Sequence, residues 1–233
     1  MACILLKISI ITPVFNDSDS LLRQLQRLQD YRKQGHEVIV VDGGSSDGTA
    51  EVQEGQADFF TVAERGRALQ MNRGAELASG DVLLFLHADT CLPEQAIDLI
   101  AVCLQQSGAV WGRFDVRLSG RQAGFRLIEK MINLRSHLTG VVTGDQSLFV
   151  TAQAFRQIGG YPPIPLMEDV ALSKLLRRLS WPARIRHKAT TSSRRWEKHG
   201  TVRTILLMWW LRLLYFLGVN PEYLAKKYDH HGS

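Results

Sequence analysis

Short runs of apolar and β-branched residues alternate with stretches of helical periodicity through the first half of the chain. Strands are predicted at Lys7–Pro13, Glu37–Val41 and Phe59–Val62. The unbroken apolar run Val82–Leu86, which ends before His87, predicts a fourth strand that is buried on both faces. Because predicted helices separate these strands, the pattern indicates an α/β fold with a mostly parallel, Rossmann-like central sheet flanked by helices.

Two residues with metal-binding side chains follow the fourth predicted strand. They are His87 and Asp89, and Pro93 then opens a helical pattern. Open α/β sheets bind their ligands at the carboxyl ends of the strands. Residues two apart in a strand point to the same side, so we expect this pair to face one ligand. The alternative is an aspartate that caps the next helix and a histidine that bonds to backbone.

The second half of the chain is less regular and predicts shorter elements. Strands are predicted at 109–118 and Trp181–His187, and helices at Phe125–Leu138 and 166–179. A glycine turn within 143–150 leads into a further strand. Strands and helices therefore continue to alternate, but with less clear boundaries.

Two groups of acidic residues have both a structural and a functional interpretation. The loop 42–49 follows the second predicted strand and carries glycines, acids and hydroxyls that suit a ribose or a base. A plain strand-to-helix turn needs the same residue types. Glu168 and Asp169 fall in the first turn of a predicted helix, where the helix dipole favours carboxylates. Capping charge is therefore the alternative to a catalytic or binding role for this pair.

The C-terminal segment 201–233 contains an apolar helical stretch, 202–219, that is interrupted by Arg203 and Arg212. An arginine at the centre of a helix costs about 2.5–3.5 kcal/mol on membrane-insertion scales, so a transmembrane span is disfavoured. We expect this extension to pack on the preceding domain, residues 1–200, or on a partner subunit in a homodimer. A membrane surface is the alternative contact, because tryptophans and nearby basic residues favour the interface.

Composition bounds the function classes. The chain has 233 residues, a length that suits one α/β domain. Its net charge of +5 suits phosphate-bearing ligands or an anionic membrane surface. No aromatic stacking array or DNA-binding motif accompanies the charge, so nucleic acid is not an expected partner. Three cysteines without metal-ligand spacing and the absence of a signal-peptide pattern predict a cytoplasmic protein. The alternative is a protein that is attached peripherally to the inner face of the membrane.

Four motifs, in this order and spacing, resemble those of family 2 glycosyltransferases of the GT-A fold. The resemblance covers roughly residues 5–200, and its motifs are Ile11–Asn16, Val40–Thr49, Leu86–Thr90 and Met167–Asp169. The chain is also similar to a small bacterial subgroup that is found near radical-SAM proteins and is linked to arsenosugar biosynthesis. The resemblance implies an enzyme that uses a nucleotide sugar.

Matching positions in this family imply a role for each candidate residue. The implied donor-binding residues are Thr12, Pro13, Val14, Asp42, Gly43, Arg67, Ala88 and Asp89. The implied metal ligands are Asp89 and His87, where the family usually has an aspartate. His187, at the end of the last predicted strand, is a further candidate metal or phosphate ligand, for which a plain surface histidine is the alternative. The implied general base is Asp169, with Asp145 as second choice, and the implied acceptor-binding residues are Gly144, Asp145, Gln146 and Glu168.

The resemblance further implies an inverting transferase with a UDP- or GDP-linked sugar as donor. A divalent Mg²⁺ or Mn²⁺ would neutralise the leaving diphosphate. The acceptor would be a hydroxyl on a small or lipid-linked molecule.

Two other functions stay open at this point. A sugar-phosphate nucleotidyltransferase shares the sheet, but it would need a glycine-rich phosphate loop with a basic residue where this chain has Pro13–Asn16. A catalytically silent nucleotide-sugar sensor or membrane-surface binding module stays open because His87 replaces an acid in the metal motif. Turnover of a nucleotide sugar to the nucleoside diphosphate distinguishes an enzyme from a sensor.

Overall fold

The computed structural model describes residues 6–194, 197 and 200–232. These residues form an eight-stranded mixed sheet with the strand order β3-β2-β1-β4-β7-β6-β8-β5. The strands are β1 (Ile8–Val14), β2 (Glu37–Asp42), β3 (Phe59–Val62), β4 (Val82–Phe85), β5 (Thr90–Cys91), β6 (Trp111–Leu118), β7 (Phe149–Thr151) and β8 (Ala183–Thr191). The helices are α1 (Ser18–Lys33), α2 (Thr49–Val52), α3 (Arg67–Leu77), α4 (Ala96–Ser107), α5 (Ala123–Thr139), α6 (Ala152–Gln157), α7 (Glu168–Leu176), α8 (Thr201–Phe216) and α9 (Pro221–Gly232), with a 3-10 turn at Gly144–Gln146.

The first half confirms the predicted alternation of strands and helices. Strands β1 to β4 are parallel, and the register pairs Val14 with Asp42, so the carboxyl ends of β1 and β2 lie side by side. Strand β4 is buried on both faces, as its unbroken apolar run predicts. Val82 and Leu84 pack with α1 and α4 on one face, and Leu83 packs with α3, α6 and α7 on the other.

The second half makes the sheet mixed rather than mostly parallel. Strand β7 lies between β4 and β6 and is antiparallel to both. Strand β8 is parallel to β6, with an irregular register after Phe114, and antiparallel to the short β5. Since β7 has three residues, local periodicity carries too little information to predict its direction.

Three predicted boundaries were wrong, and two of them lie beside the candidate metal ligands. Strand β4 ends at Phe85, so His87 and Asp89 lie in a turn that the Thr90 N–H closes onto the His87 carbonyl at 3.0 Å. The argument that both side chains share one face of a strand therefore does not hold. Helix α4 begins at Ala96 rather than at Pro93. Strand β8 continues to Thr191 instead of ending at His187.

Helices α8 and α9 cover one side of the sheet domain. Leu211 of α8 and Leu224 of α9 are buried with Val141, Met167 and Val170. The apolar residues of α8 that remain exposed are Leu206, Trp209, Trp210, Leu213 and Phe216. Within the described ranges, no helix combines the length and the apolar character that crossing a bilayer requires.

Candidate active site

One cavity of about 560 Å³ brings together residues that are far apart in the sequence. Helices α5 and α8 supply its apolar wall, and loops beside the sheet supply the polar one. The charged and titratable lining residues predicted from sequence are Arg67, His87, Asp89, Asp145 and Asp169. Candidate metal ligands and candidate bases thus face the same space.

Asp169 is held at the start of α7 by a backbone hydrogen bond from a distant loop. Met167, the residue before α7, adopts a left-handed conformation with a φ of 68°, which brings the chain sharply into the helix. The N–H of Gly144 donates to Oδ2 of Asp169 at 2.8 Å. A buried carboxylate needs such a donor, because an unpaired charge in a low-dielectric site is costly.

Gly144 also lies directly against the ring of His87. A Cβ built on Gly144 would overlap Cε1 and Nε2 of His87 and would come within 3.3 Å of Oδ2 of Asp169. Only glycine fits at this position without displacement of the imidazole. The turn after β4, the 3-10 turn and the first turn of α7 are therefore packed as one unit.

The environment of Asp169 favours its neutral form. Burial, together with the carboxylates of Glu168 and Asp145, raises the pKa of Asp169 to about 7 against the opposing effects of Arg67 and the Gly144 N–H. The carboxylate is therefore poised to accept a proton near neutral pH, which is the property that a general base requires.

Glu168 is buried beside Asp169 but faces a different partner. Its Oε1 lies 4.0 Å from Nη1 of Arg67, and it does not line the cavity. Burial raises the pKa of Glu168, and Arg67 opposes the rise. The adjacent carboxylates thus diverge, since successive residues in a helix point about 100° apart.

The turn that carries the candidate metal ligands is braced by Gln24 of α1. Its Nε2 donates to the carbonyl oxygens of His87 at 2.5 Å and of Thr90 at 3.2 Å, and its Oε1 accepts from the Thr12 hydroxyl at 3.0 Å. Sequence reasoning gave Gln24 no role, because its polar side chain sits on the buried stripe of an amphipathic helix.

The environment shifts the pKa values of the two candidate ligands in opposite directions. Burial and the nearby Arg67 lower the pKa of His87 to about 3, so its imidazole is neutral and can act as a ligand. Burial and Asp17 raise the pKa of Asp89, and Arg194 and Arg67 oppose the rise. The positive neighbours therefore help to keep a carboxylate at this position.

The described residues contain no group of three or more histidine, cysteine or acidic side chains that could hold a metal ion. His87 and Asp89 line the cavity, whereas His187 is exposed in strand β8 and does not. The structure thus does not bring His187 into this site. A divalent cation fits here only if oxygen atoms of a bound nucleotide or water complete its coordination, because six or more ligands are usual for such hard cations.

The sequence and the fold now identify the family. Residues 9–157 match the model of Glycosyl transferase family 2. The chain belongs to this family. The match includes the His87–Asp89 turn, Gly144 and Asp145, while Asp169 lies beyond its end.

Two relatives in this comparison are longer than this chain. An uncharacterized glycosyltransferase of Mycobacterium tuberculosis (strain H37Rv) is 34% identical over 164 residues, which are 66% of this chain and 62% of the relative. An undecaprenyl-phosphate 4-deoxy-4-formamido-L-arabinose transferase of Pseudomonas fluorescens is 30% identical over 158 residues, which are 62% of this chain and 46% of the relative. The chain thus spans less than two thirds of the length of either relative.

A solved structure shows the same GT-A-like fold. It is glucosyl-3-phosphoglycerate synthase from Mycobacterium tuberculosis in complex with Mn²⁺, UDP and glucosyl-3-phosphoglycerate. The TM-score is 0.59 at 17% identity, with 80% of this chain and 71% of that chain covered.

In this chain, the predicted donor-binding residues of β1 and β2 lie together but outside the cavity. Thr12, Pro13, Val14, Asp42 and Gly43 occupy adjacent strand ends, and none of them lines the cavity. Ala88 is likewise buried, in the turn after β4, and does not line it.

Asp42 and Gly43 are fixed by their neighbours. Both carboxylate oxygens of Asp42 accept from the Ser45 N–H, at 3.1 and 3.0 Å, so this carboxylate holds its own loop in place. Gln70 of α3 donates to the carbonyl oxygens of Val14 and Val41, each at 2.8 Å, and its side chain lies 3.3 Å from a Cβ built on Gly43.

The predicted acceptor-binding residues of the 3-10 turn divide into lining and supporting residues. Gly144 and Asp145 line the cavity, and Asp145 accepts from the Thr143 hydroxyl at 2.5 Å. Gln146 is fully buried, and its Oε1 accepts from the Thr143 N–H at 3.2 Å. Gln146 thus supports the turn rather than lining the cavity.

Two arginines in the cavity were not predicted as functional residues. Arg135 of α5 and Arg212 of α8 both line it. Arg212 was noticed only because it interrupts an apolar stretch, and Arg135 looks like an ordinary polar residue of an amphipathic helix. The signal in both cases is an arginine within the apolar stripe of its helix.

Proposed function

We propose that this protein is an inverting glycosyltransferase that moves a sugar from a nucleoside-diphosphate sugar to an acceptor hydroxyl, with Asp169 as the general base. The observation that carries the proposal is the buried Asp169 carboxylate, which lines the cavity, accepts the Gly144 N–H at 2.8 Å and has a pKa of about 7.

The reaction needs one proton acceptor beside the attacking oxygen. The acceptor hydroxyl gives its proton to the Asp169 carboxylate while its oxygen bonds to the anomeric carbon of the sugar. The bond from that carbon to the diphosphate oxygen breaks, and the electron pair leaves with the nucleoside diphosphate. Attack opposite the leaving group inverts the anomeric centre. Asp145 is the second candidate for the base, because it lines the same cavity.

The donor diphosphate is proposed to lie near Arg67 and Asp89. Asp89 would hold a divalent Mg²⁺ or Mn²⁺, with His87 as a further ligand, and the cation would stabilise the negative charge of the leaving diphosphate. The Mn²⁺ and UDP in the solved synthase support this assignment. The nucleoside of a UDP- or GDP-linked sugar is proposed to contact the adjacent ends of β1 and β2.

The acceptor is proposed to contact Gly144 and Asp145, and it is a small or a lipid-linked molecule. The Pseudomonas fluorescens relative is named an undecaprenyl-phosphate 4-deoxy-4-formamido-L-arabinose transferase, and this name supports the lipid-linked alternative. Cytoplasmic location and a membrane or homodimer contact through α8 and α9 remain predictions, as does the division at residue 200. So does the link to the arsenosugar subgroup.

Turnover of UDP- and GDP-linked sugars tests the proposal. The protein is incubated with each sugar and Mn²⁺ or Mg²⁺, with water in place of the acceptor hydroxyl, and hydrolytic release of the nucleoside diphosphate is measured for the wild type and for Asp169→Asn. We expect release by the wild type and a large loss in the variant. Binding of nucleotide sugar without any turnover by the wild type would instead support a silent sensor.

A further inference from the structure

Arg135 and Arg212 line the cavity with guanidinium groups whose hydrogen bonding is incomplete. The Nε of each arginine is buried and has no hydrogen-bond partner among the described residues. The only polar contact of Arg135 within the described ranges is from Nη2 to the Thr143 hydroxyl, at 3.4 Å. Neither guanidinium forms an ion pair with a carboxylate of the described residues. A buried arginine normally has such a partner.

The two cations also repel each other. Burial and the charge of Arg212 lower the pKa of Arg135 to about 10, and burial lowers the pKa of Arg212. Both groups stay protonated at neutral pH. Two like charges in one partly desolvated space are unfavourable unless an anion lies between them.

The nearby carboxylates of Asp145 and Asp169 do not provide the paired anion that the two arginines lack. Asp145 and Asp169 attract both guanidinium groups through space. However, each carboxylate takes its hydrogen bond elsewhere, Asp169 from the Gly144 N–H and Asp145 from the Thr143 hydroxyl. Apart from the contact of Arg135 Nη2 with Thr143, the terminal N–H groups of the two arginines are therefore left for a ligand. Phosphate and carboxylate groups match this fork.

The walls around the arginines are apolar and open to solvent. The cavity-lining apolar residues of α5 and α8 that flank the arginines are Met131, Leu134, Leu138, Ile205, Met208 and Trp209. Leu134, Leu138 and Trp209 are each more than half exposed, at 57%, 67% and 53%. Each arginine lies within one turn of apolar residues on its own helix, because residues three and four apart are neighbours. The two arginines thus lie beside the apolar part of the cavity lining that α5 and α8 supply.

We propose that the acceptor is an amphiphile whose phosphate group binds Arg135 and Arg212 and whose hydrocarbon chain lies between α5 and α8. The inference rests on the proposed function, since it names the substrate class that enters the acceptor side of the same cavity. The charge of the arginines selects the anionic group, and the apolar walls select a chain. Asp169 lines the same cavity as the two arginines, so a hydroxyl close to the phosphate would enter the space that the proposed base faces.

The test measures binding of farnesyl phosphate, which carries both features and no hydroxyl, by titration calorimetry. Farnesol and inorganic phosphate each carry one feature and serve as comparison ligands. We expect Arg135→Gln and Arg212→Gln each to weaken farnesyl phosphate binding by about 10- to 100-fold, the usual effect of losing a charge-assisted pair. Arg156→Gln removes the same charge from an exposed position of α6 and should bind like the wild type.

Trp209→Ser tests the apolar wall. We expect it to weaken binding of farnesyl phosphate and farnesol but not of inorganic phosphate. Melting curves of every variant establish that the protein is folded, and Arg135→Lys keeps the charge if Arg135→Gln does not fold.

Several results would overturn the inference. Farnesyl phosphate that does not bind the wild type, or that binds both glutamine variants normally, excludes the arginine site. Inorganic phosphate that binds as tightly as farnesyl phosphate indicates a free-phosphate site instead. Arginine-dependent binding without turnover of any nucleotide sugar would leave this site standing while the proposed function fails. Turnover of a nucleotide sugar together with farnesyl phosphate binding that does not depend on the arginines would support the proposed function and exclude the arginine site.

Discussion

The N–H of Gly144 donates to Oδ2 of Asp169 at 2.8 Å, across a separation of 25 residues in the sequence. This bond fixes the carboxylate of α7 against the loop that also packs on the ring of His87. The proposed base is therefore oriented by backbone. A backbone donor cannot rotate away as a side chain can, so the position of the carboxylate is preorganised.

Asp169→Asn should lower turnover by about 10²–10⁴ while nucleotide-sugar binding stays nearly intact. Asparagine keeps the size and can still accept the Gly144 N–H, but it cannot take the proton of the acceptor. Glu168→Gln is the matched control, because Glu168 is buried but faces Arg67 and does not line the cavity. Turnover rates and donor affinities of the two variants decide, and near-normal turnover in Asp169→Asn rejects the assignment.

Turnover should rise with pH through about 7, because Asp169 accepts a proton only when it is ionised and its pKa is raised to about 7. A rate-against-pH profile of the wild type, at saturating donor and acceptor, measures this. The residual activity of Asp169→Asn should lack the rise. A wild-type profile that is flat from about pH 5 to about pH 9 would contradict the assignment.

The same shift has a consequence for stability. The folded-state pKa of Asp169 lies above its ordinary value of 3.8, so the proton binds the folded state more tightly. This contribution to the free energy of unfolding is fully present below pH 3.8 and is lost as pH rises to about 7. Asp169→Asn removes the cost of burying an ionised carboxylate. The Tm of the variant relative to that of the wild type should therefore rise between pH 3.8 and about 7 and then level off. Melting curves in a pH series measure it; an equal or lower Tm for the variant at about pH 8 contradicts the predicted burial.

Gly144→Ala should lower both activity and stability, because the added Cβ would displace the ring of His87. Overpacking of this kind costs about 1–3 kcal/mol. Gly124→Ala is the control: Gly124 lies in α5, and a Cβ added there would meet nothing within 4 Å, so alanine should be neutral or slightly stabilising. Denaturant unfolding and turnover of both variants check the prediction. Equal effects of the two substitutions would show that the packing on His87 is not critical.

Asp89→Ala should abolish the part of UDP affinity that depends on Mn²⁺ and leave the fold intact. Asp89 lies in a turn outside the packed core, and it is the carboxylate that faces the cavity beside His87. Calorimetric titration of UDP with and without Mn²⁺ measures the effect. His187→Ala, which alters an exposed residue outside the cavity, should titrate like the wild type. Unchanged affinity in Asp89→Ala would remove the metal assignment.

The sequence by itself determined strands β1 to β4 and the helices between them. Their signals are local: an apolar run such as Val82–Leu86 must be buried, and periodicity distinguishes strand from helix within a few residues. The motifs around Asp42, Asp89 and Asp169 also carried the resemblance to the family, because they are contiguous in the chain. The family match to residues 9–157 confirms the resemblance to family 2 and covers the motifs around Asp42 and Asp89, whereas the motif around Asp169 lies beyond it.

Only the tertiary structure decided which of these residues meet. The antiparallel pairing of β7, the turn that presents His87 and Asp89, and the contact of Gly144 with His87 depend on chain segments packed side by side. Arg135 and Arg212 illustrate the limit most clearly. Each reads as an isolated charge in its own helix, and their pairing in one cavity exists only because α5 and α8 pack against the same side of the sheet domain. Contacts between segments that are remote in the sequence leave no periodic pattern in it. Such contacts can therefore be identified only from the tertiary structure.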